Sequence, residues 1–414
     1  TYLFTWRLFD RHRLAILAAA LITINPAHIN YSRIVGYLDP WFLGFFALFF
    51  FFDGLKGRRK VSLALAGLFT GFVLVSYPSG RAIIPMIGIG LASAGLYKRK
   101  WLTDNYGGLV WMALGVLVAL GPNLIYFITD WSVYMQRARE VIIFNPGNIE
   151  HLKYTYRVDS VWLIIWEQVK RSVLLFNYYT DKSAQFAYPH PMFNSLVSPM
   201  LILGFGMSLY RWRKPAFLFV TSSFIFILVT GSILTNDAPT WSRLVGIIPL
   251  AALLIALVID EFVNVLERVS LRPFVPFLLL GVALFLGVLA VMDWNTYLRE
   301  VENLARPEVR VARYLDALPD EINACGITDE YRIDQEEIKF LGWPRSIVVV
   351  PPDTAALTAD ICPGQNLVWI LSPTYQNRLS ELQTQWPGGT VENHRLENGD
   401  LMFISYLISN QTNP

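Results

Sequence analysis

Nine long apolar runs constrain what this chain can fold into more than any other feature of the sequence. Their cores contain no Asp, Glu, Lys or Arg. Several are shorter than the roughly 20 residues that cross the hydrocarbon core of a bilayer, and interfacial aromatic residues or helix tilt extend such segments. We predict about nine spanning helices, at residues 14–28, 39–54, 61–78, 82–97, 108–129, 196–210, 215–235, 244–260 and 273–292.

Composition and charge indicate two environments. The chain has 414 residues, of which 54% are hydrophobic and only 16% charged, so it is far more apolar than a soluble domain. Residues 1–292 carry 25 Lys and Arg against 14 Asp and Glu, a net charge of +11, whereas residues 293–414 carry 9 against 18, a net charge of −9. We therefore divide the chain into a transmembrane helical domain at 1–292 and a small soluble domain at 293–414.

The loops between the runs alternate in charge. Five short loops of one parity hold most of the basic residues: Arg7, Arg11, Arg13, Lys56, Arg58, Arg59, Lys60, Lys98, Arg99, Lys100, Arg211, Arg213, Lys214, Arg268 and Arg272. The three short loops of the other parity hold one each, namely Arg33, Arg81 and Arg243. The positive-inside rule makes the basic set cytoplasmic, and nine crossings then place the C-terminal domain outside the cytoplasm.

The longest predicted external loop, residues 130–195, contains an amphipathic segment at 160–179. Its charged residues Glu167, Lys170 and Arg171 share one side at helical spacing. The apolar side carries Val161, Ile165, Trp166, Val169 and Val173. This pattern fits a helix that lies in the membrane interface, and it fits almost as well a helix packed on the external domain.

The C-terminal domain has the pattern of a compact α/β fold. Helices are predicted at 295–318, interrupted or ended by Pro307, and near 375–385. Strands are predicted at 322–328, 346–350, 366–372 and 401–409. Both cysteines, Cys325 and Cys362, fall in this domain without forming a CxxC pair, so no metal site is predicted. A disulfide between them is chemically permitted outside the cytoplasm, and the sequence leaves it open.

Several function classes have no support in the sequence. It contains no GxxxxGK[ST] phosphate loop, no GxGxxG after a strand, no HExxH and no GxSxG. The five histidines are scattered, so no bound metal is predicted. The soluble domain is acidic, which argues against nucleic-acid binding. The spans lack the ionisable groups that an ion-coupled transporter usually needs.

Polar residues instead gather in the predicted external turns. The first, second and fourth turns contain His28, Arg33, Asp39, Tyr77, Arg81, Asp237, Trp241 and Arg243. Three single arginines beside aromatic residues suit one phosphate or diphosphate of a lipid carrier, because arginine binds phosphate with a planar fork of donors. Snorkelling to ordinary lipid head groups explains the same pattern. The carboxylates of Asp39 and Asp237 are each expected either to orient a sugar hydroxyl or to form a structural ion pair with a nearby arginine.

The segments that contain these turns resemble a known family. NPAHINYSRIVGYLDPWFLGFFALFFFFDGLKGRR, LALAGLFTGFVLVSYPSGRAIIP and ILTNDAPTWSRLVGIIP are similar, in that order, to bacterial members of glycosyltransferase family 39. These are the dolichyl-phosphate-mannose–protein mannosyltransferase-like proteins of the GT-C superfamily. The similarity covers residues 1 to about 290, and the order and spacing of the segments strengthen it. It implies a GT-C-like helical membrane bundle in the plasma (inner) membrane.

The resemblance also implies an activity and a site. Such enzymes transfer a sugar from a polyprenyl-phosphate donor to an acceptor outside the cytoplasm, without a nucleotide sugar or other cofactor. The expected donor-phosphate residues are Arg243, Arg81 and Arg33, and the substrate-site candidates are Asp237, Trp241, His28, Asp39 and Tyr77. The family's catalytic base is an Asp in a loop that would precede Thr1. The chain opens inside an apolar helix, so we interpret it as truncated at its N-terminus and leave the catalytic residue unassigned.

These observations lead to one main hypothesis. We predict an inverting, metal-independent hexosyl or pentosyl transferase with a polyprenyl-phosphate sugar donor and an unidentified protein, lipid or glycan acceptor. One alternative is a transporter or flippase for a lipid-linked substrate, which would need paired repeats and broken helices. The other is a catalytically inactive membrane scaffold whose external domain binds a partner.

Overall fold

The computed structural model describes residues 1–33, 36, 39–183, 188–269, 272–303, 307–327, 347–358, 360–395, 399 and 401–408. The chain divides into two compact units, Thr1–Tyr297 and Leu298–Pro414. The division predicted at residues 292 and 293 stays a prediction.

Unit 1 is built from helices. In chain order they are α1 (Tyr2–Phe9), α2 (His12–Ile24), α3 (Pro26–Ser32), α4 (Asp39–Gly57), α5 (Lys60–Val75), α6 (Ile83–Tyr97), α7 (Arg99–Thr103), α8 (Tyr106–Leu120), α9 (Leu124–Thr129), α10 (Trp131–Tyr134), α11 (Gln136–Val141), α12 (Pro146–Tyr156), α13 (Val161–Leu174), α14 (Ser198–Tyr210), α15 (Pro215–Leu228), α16 (Ile247–Arg268) and α17 (Val275–Asn303). Short 3-10 turns at Pro78–Ala82, Gly121–Asn123, Trp241–Arg243 and Arg272–Phe274 and a π turn at Val229–Ile233 join or extend them.

Each of the nine predicted runs contains a helix of this unit. Six helical segments in the described ranges are long and apolar enough to cross a membrane: Asp39–Gly57, Pro78–Tyr97, Tyr106–Thr129, Pro215–Ile233, Ile247–Arg268 and Val275–Arg299. The pair α2 and α3 makes a seventh if it counts as one span bent by 67°. Two apolar helices, α5 and α14, are shorter than a full span. The total of nine crossings therefore stays a prediction.

The bend between α2 and α3 has a local cause. Pro26 has no N–H to continue the hydrogen bonds of α2, and it occupies the first turn of α3, where a free N–H is not needed. Asn25 caps α3, because its side chain accepts a hydrogen bond from the backbone N–H of His28 at 2.9 Å. The Asn25 amide also donates to the carbonyl of Met192. The contacts of Asn25 with α3 and with Met192 thus hold the bend in place.

Helices α5 and α8 approach each other backbone to backbone at glycine positions. A Cβ atom on Gly67 would lie 1.9 Å from the carbonyl oxygen of Met112, and one on Gly115 would lie 2.3 Å from the carbonyl oxygen of Ala64. Gly67 and Gly71 are four residues apart, a pattern of small residues that lets membrane helices pack closely. The small side chains therefore determine how these two helices pack.

Replacing Gly67 by alanine is expected to destabilise the protein by about 1–3 kcal/mol, because a backbone carbonyl cannot move aside as a flexible side chain can. The matched control is Gly88→Ala in α6, where nothing lies within 4 Å of the added Cβ. Melting temperatures of both variants in nanodiscs test this expectation. Equal melting temperatures for the two would contradict the close contact.

Ion pairs connect three of the basic loops at one end of unit 1. Arg11 contacts Glu261 at 2.6 Å, Arg13 contacts Asp260 at 2.7 Å, and Arg211 contacts Glu261 at 2.8 Å. The acidic partners belong to α16, whose Asp260 and Glu261 are only 1% and 7% exposed. The same end carries the pairs Arg7–Asp53 and Lys56–Asp10. We call this the basic end. Loops of one predicted parity meet there, while the side of the membrane that they face stays a prediction.

Unit 2 contains a five-stranded mixed sheet. Its elements are α18 (Pro307–Asp316), β1 (Asn323–Ile327), β2 (Ile347–Val349), β3 (Leu367–Leu371), α19 (Leu379–Gln385), β4 (Thr390–Arg395) and β5 (Leu401–Ile408). The strand order is β2-β1-β3-β5-β4, with β1 parallel to β2 and β3, and β5 antiparallel to β3 and β4. Strand β3 is buried along its whole length, as expected of a strand covered on both faces.

The predicted tail elements agree with this sheet except at one strand. Helices near 295–318 and 375–385 and strands β1, β2, β3 and β5 occur where they are predicted. The outermost residues 328, 346 and 409 of the predicted strands lie outside the described residues. Strand β4 was not predicted, since its sequence TVENHR is polar and mostly exposed at the sheet edge. The open question about the cysteines is answered by a Cys325–Cys362 disulfide with Cα atoms 6.2 Å apart.

Candidate functional site

The predicted site residues lie in turns at the helix ends opposite the basic end. Arg33 follows α3 and Asp39 begins α4, and both are exposed. Arg81 lies in the 3-10 turn before α6. Arg243 ends the 3-10 turn that leads into α16. Short connections between antiparallel helices thus place all of these turns at the same end of unit 1.

Trp41 connects three of these turns. Its indole N–H donates to the Ser79 hydroxyl at 3.2 Å. Its ring packs directly on Gly246, where a Cβ atom would lie 2.2 Å from the ring. Pro40 packs on Gly80 in the same manner, since a Cβ there would lie 2.5 Å away. The start of α4, the turn that contains Arg81 and the turn that follows Arg243 are therefore in contact.

The three arginines themselves have different partners. Arg33 donates to the Tyr297 hydroxyl at 2.7 Å. Arg81 donates to the Tyr134 carbonyl at 2.7 Å, and its guanidinium lies 3.5 Å from the centre of the Tyr134 ring. Arg243 donates to the carbonyl of Asn236 at 2.8 Å. The turns meet as a shared site requires, and convergence of the three arginines on one ligand stays a prediction.

A polar atom and an apolar cavity make this region suitable for an amphiphilic anion. Within the described part of the chain, the Nε–H of Arg81 is buried without a hydrogen-bond partner. A cavity of about 410 Å³ adjoins the turns and is lined by His28, Trp41, Val245 and other side chains. Four phenylalanines of α4 also line it: Phe42, Phe45, Phe46 and Phe49. Such a lining suits a hydrocarbon chain. Among the described residues the lining contains no arginine, and its link to the turn of Arg81 is Trp41, which donates to Ser79.

The other predicted residues play parts in holding these turns. The carbonyl of Tyr77 accepts the N–H of Gly80, which closes the second turn. Trp241 is completely buried, and its backbone N–H donates to Asp181. Its side chain thus anchors the fourth turn within the bundle. His28 lines the cavity, while the helix cap near it is Asn25.

Asp237 has a backbone conformation that few residue types adopt. Its φ of 56° lies in the left-handed region, which Asn, Asp and Gly tolerate far better than β-branched residues do. Its carboxylate lies 3.3 Å from Nε2 of His151, and the two side chains are 44% and 57% exposed. An ion pair this exposed contributes less than about 1 kcal/mol. The residue type at 237 therefore serves the backbone of the turn.

The variant Asp237→Asn is expected to melt within about 1 °C of the parent protein, because asparagine accepts a left-handed conformation and only an exposed ion pair is lost. The variant Asp237→Val is expected to be less stable by about 1–2 kcal/mol, because its branched side chain strains that conformation. Thermal melting of both variants checks the order. A valine variant as stable as the asparagine variant would contradict it.

Sequence reasoning missed Asp181, which is the most connected polar side chain of this region. It is 4% exposed, and its carboxylate accepts hydrogen bonds from the Tyr31 hydroxyl at 2.5 Å and the Trp241 N–H at 3.0 Å. It also accepts from the hydroxyl and backbone N–H of Ser183. Burial raises the pKa of Asp181, although these four hydrogen bonds favour the carboxylate form. Asp181 therefore ties α3 to the turn before Arg243.

No metal site was predicted, and no group of three His, Cys, Asp or Glu in the described ranges has the arrangement of one. Anion binding by Arg81 and Arg243 and proton exchange by carboxylates of the turns stay predictions.

Comparison with solved structures identifies the fold. The crystal structure of ArnT from Cupriavidus metallidurans bound to undecaprenyl phosphate matches over 100% of this chain and 82% of that chain, with a TM-score of 0.51 and 14% sequence identity. The predicted fold class is thereby confirmed: a mainly helical, GT-C-like membrane bundle with a small C-terminal sheet region. No protein-family model matches the sequence, and no curated protein does either.

Proposed function

We propose that the protein is a membrane glycosyltransferase that moves a sugar from a polyprenyl-phosphate carrier to an acceptor outside the cytoplasm. The observation that carries this proposal is the meeting of the arginine-bearing turns beside an apolar cavity. A polyprenyl phosphate needs both environments next to each other, because its head is an anion and its tail is a hydrocarbon. The alternation of basic loops supports the proposed orientation, with the C-terminal unit outside the cytoplasm. The proposed plasma (inner) membrane location rests on the family resemblance.

In this proposal Arg243, Arg81 and Arg33 bind the carrier phosphate. The bond between the anomeric carbon and the phosphate oxygen breaks while a bond to the acceptor oxygen forms, and the acceptor proton passes to a carboxylate base. Negative charge grows on the leaving phosphate, so guanidinium groups close to it stabilise the transition state. Arg81 is the best-supported of the three, since its buried Nε–H has no partner within the described part of the chain.

Further residues have proposed roles around the sugar. Asp39 and Asp237 lie in turns of the site and are candidates for binding sugar hydroxyls, together with His28, Tyr77 and Trp241. The catalytic base is left unassigned among the residues of this chain. The buried Asp181 is not proposed as that base, because its four hydrogen bonds hold it within the fold.

The fold supports the class of donor. ArnT, which has the same fold, was crystallised with undecaprenyl phosphate, a polyprenyl phosphate. A related carrier in the present protein agrees with the aromatic cavity beside the turns. The family resemblance favours a hexose or pentose such as mannose as the sugar.

A transfer assay tests the proposal. The protein is reconstituted in liposomes with a polyprenyl-phosphate-linked radiolabelled hexose or pentose and an envelope extract as the source of acceptor. We expect label to leave the organic phase in a covalent product and to require no added divalent metal. Label that enters sealed vesicles without a covalent product would contradict the proposal and favour a transporter of lipid-linked substrates. Neither transfer nor transport by well-folded protein would favour the scaffold hypothesis.

A further inference from the structure

Helix α13 exposes large apolar side chains, while its buried face combines polar residues with Ile164, which is 1% exposed. Its exposed stripe carries Trp162, Trp166 and Val173, which are 79%, 62% and 53% exposed. Its buried face includes Gln168 and Ser172, both 0% exposed. A surface helix normally buries its apolar stripe and exposes its polar one. The exposed stripe of α13 is therefore expected to contact something other than water.

The buried polar groups of α13 fix its position against the end of a spanning segment. Gln168 donates to the carbonyl of Thr235 at 2.9 Å, and the Ser172 and Ser232 hydroxyls are hydrogen-bonded at 2.7 Å. Ser232 lies in the last turn of the apolar segment Pro215–Ile233, which is long enough to cross a membrane. Because that segment ends there, α13 lies at the level of the membrane surface.

The length and charges of α13 exclude a spanning role. Its 14 residues extend about 21 Å, less than the roughly 30 Å of a hydrocarbon core. Glu167, Lys170 and Arg171 lie on a flank between the exposed stripe and the buried face. Lys170 pairs with Glu167 at 2.6 Å, and Arg171 stacks on the ring of Tyr156 at 4.5 Å. An apolar stripe with tryptophans beside a charged flank is the arrangement of a helix at the boundary between head groups and acyl chains.

We propose that α13 is a membrane-surface helix whose Trp162, Trp166 and Val173 stripe inserts among the lipids of the leaflet where Pro215–Ile233 ends. The lipid bilayer itself is the partner. The sequence alone left the membrane interface and the external domain nearly equal, and the exposed tryptophans beside the end of a candidate span favour the membrane. Since α13 also holds Ser232 and Thr235, contact with lipid supports the turn that continues to Asp237 and Arg243. The proposal does not depend on the activity of that site.

Spin labels at single introduced cysteines test this contact in the full-length protein in nanodiscs of phosphatidylethanolamine and phosphatidylglycerol. The labels replace Trp166 and Val173, and the control label replaces Glu150 of α12, whose side chain is 73% exposed. The two native cysteines are already joined in a disulfide. At 166 and 173 we expect oxygen to collide with the label several-fold more often than a water-soluble nickel chelate does. At 150 the ratio is expected to be reversed.

Two outcomes would overturn the proposal. Nickel access at 166 and 173 as high as at 150 would place the stripe in water. Immobile labels with low access to both reagents would show that protein covers it, either the C-terminal unit or another partner. If the label at 166 prevents assembly, a label at Trp162 replaces it. A second measurement is the quenching of tryptophan fluorescence by brominated lipids in the unlabelled protein. Its control is the double variant Trp162→Phe plus Trp166→Phe. Unchanged quenching in that double variant would also count against lipid contact.

Discussion

Replacing Arg243 by alanine is expected to lower sugar transfer at least about 100-fold while the protein remains in the membrane at its normal level. The loss of one preorganised donor to a developing anion typically costs about 100- to 1,000-fold in rate. In the folded protein Arg243 contributes a hydrogen bond to the Asn236 carbonyl from a partly exposed position. The turn keeps its backbone contacts through Trp241 and Asp181, so the fold is expected to survive.

Two further variants separate the proposed role from a structural one. Arg243→Lys keeps a positive charge but loses the planar fork of donors, so an intermediate loss of transfer is expected. Arg213→Ala, at an exposed position between α14 and α15 at the basic end, removes an arginine from the opposite end of unit 1 and is expected to transfer at the parent rate. Transfer by each variant is measured in liposomes, alongside its melting temperature. Parent-like transfer by Arg243→Ala would remove Arg243 from the site.

The helices of unit 1 are predictable because their cause is local. A run of apolar residues without charges forms a helix in a bilayer whatever its neighbours are, so the nine runs match nine helical segments. The short helices α10 to α12 were not predicted, since their sequence mixes charged and aromatic residues without a sustained period. Strand β4 was missed for a similar reason, because pairing with β5 rather than its own pattern makes it a strand.

Charges at the basic end show a second limit of sequence reasoning. The loops were counted by their basic residues alone, which predicts orientation. Their acidic partners, Asp260 and Glu261, lie about 250 positions further along the chain than Arg11 and Arg13. Only the packing of α2 against α16 brings them together.

The candidate site was predictable in its turns but not in its contacts. Single arginines at three helix ends drew attention to Arg33, Arg81 and Arg243, and the structure brings the turns of the last two together around Trp41. Arg33 and Arg81 take aromatic partners from distant segments, Tyr297 and Tyr134. Sequence reasoning did not identify Asp181, because its partner Tyr31 is 150 positions away and its own segment contains no motif.

Asp181→Ala is expected to destabilise unit 1 on the order of 3–5 kcal/mol. Four donors would lose their acceptor, each buried unpaired donor costs about 1–3 kcal/mol, and such costs do not add fully. Asp181→Asn keeps the size of the side chain but has one accepting oxygen instead of two, so a smaller loss is expected. Tyr31→Phe removes only one donor and is expected to cost about 1–2 kcal/mol.

Melting in nanodiscs measures these differences, and Asp159→Ala, an exposed acidic position just before α13, is the matched control with no expected change. A drop of at least about 5 °C is expected for Asp181→Ala. In the double variant Asp181→Asn plus Tyr31→Phe, the two losses are expected to add to less than their sum, because both remove the same hydrogen bond. Full additivity would show that the Tyr31 hydroxyl and the carboxylate act independently. An Asp181→Ala variant that melts with the parent protein would show that this carboxylate does not hold the turn before Arg243.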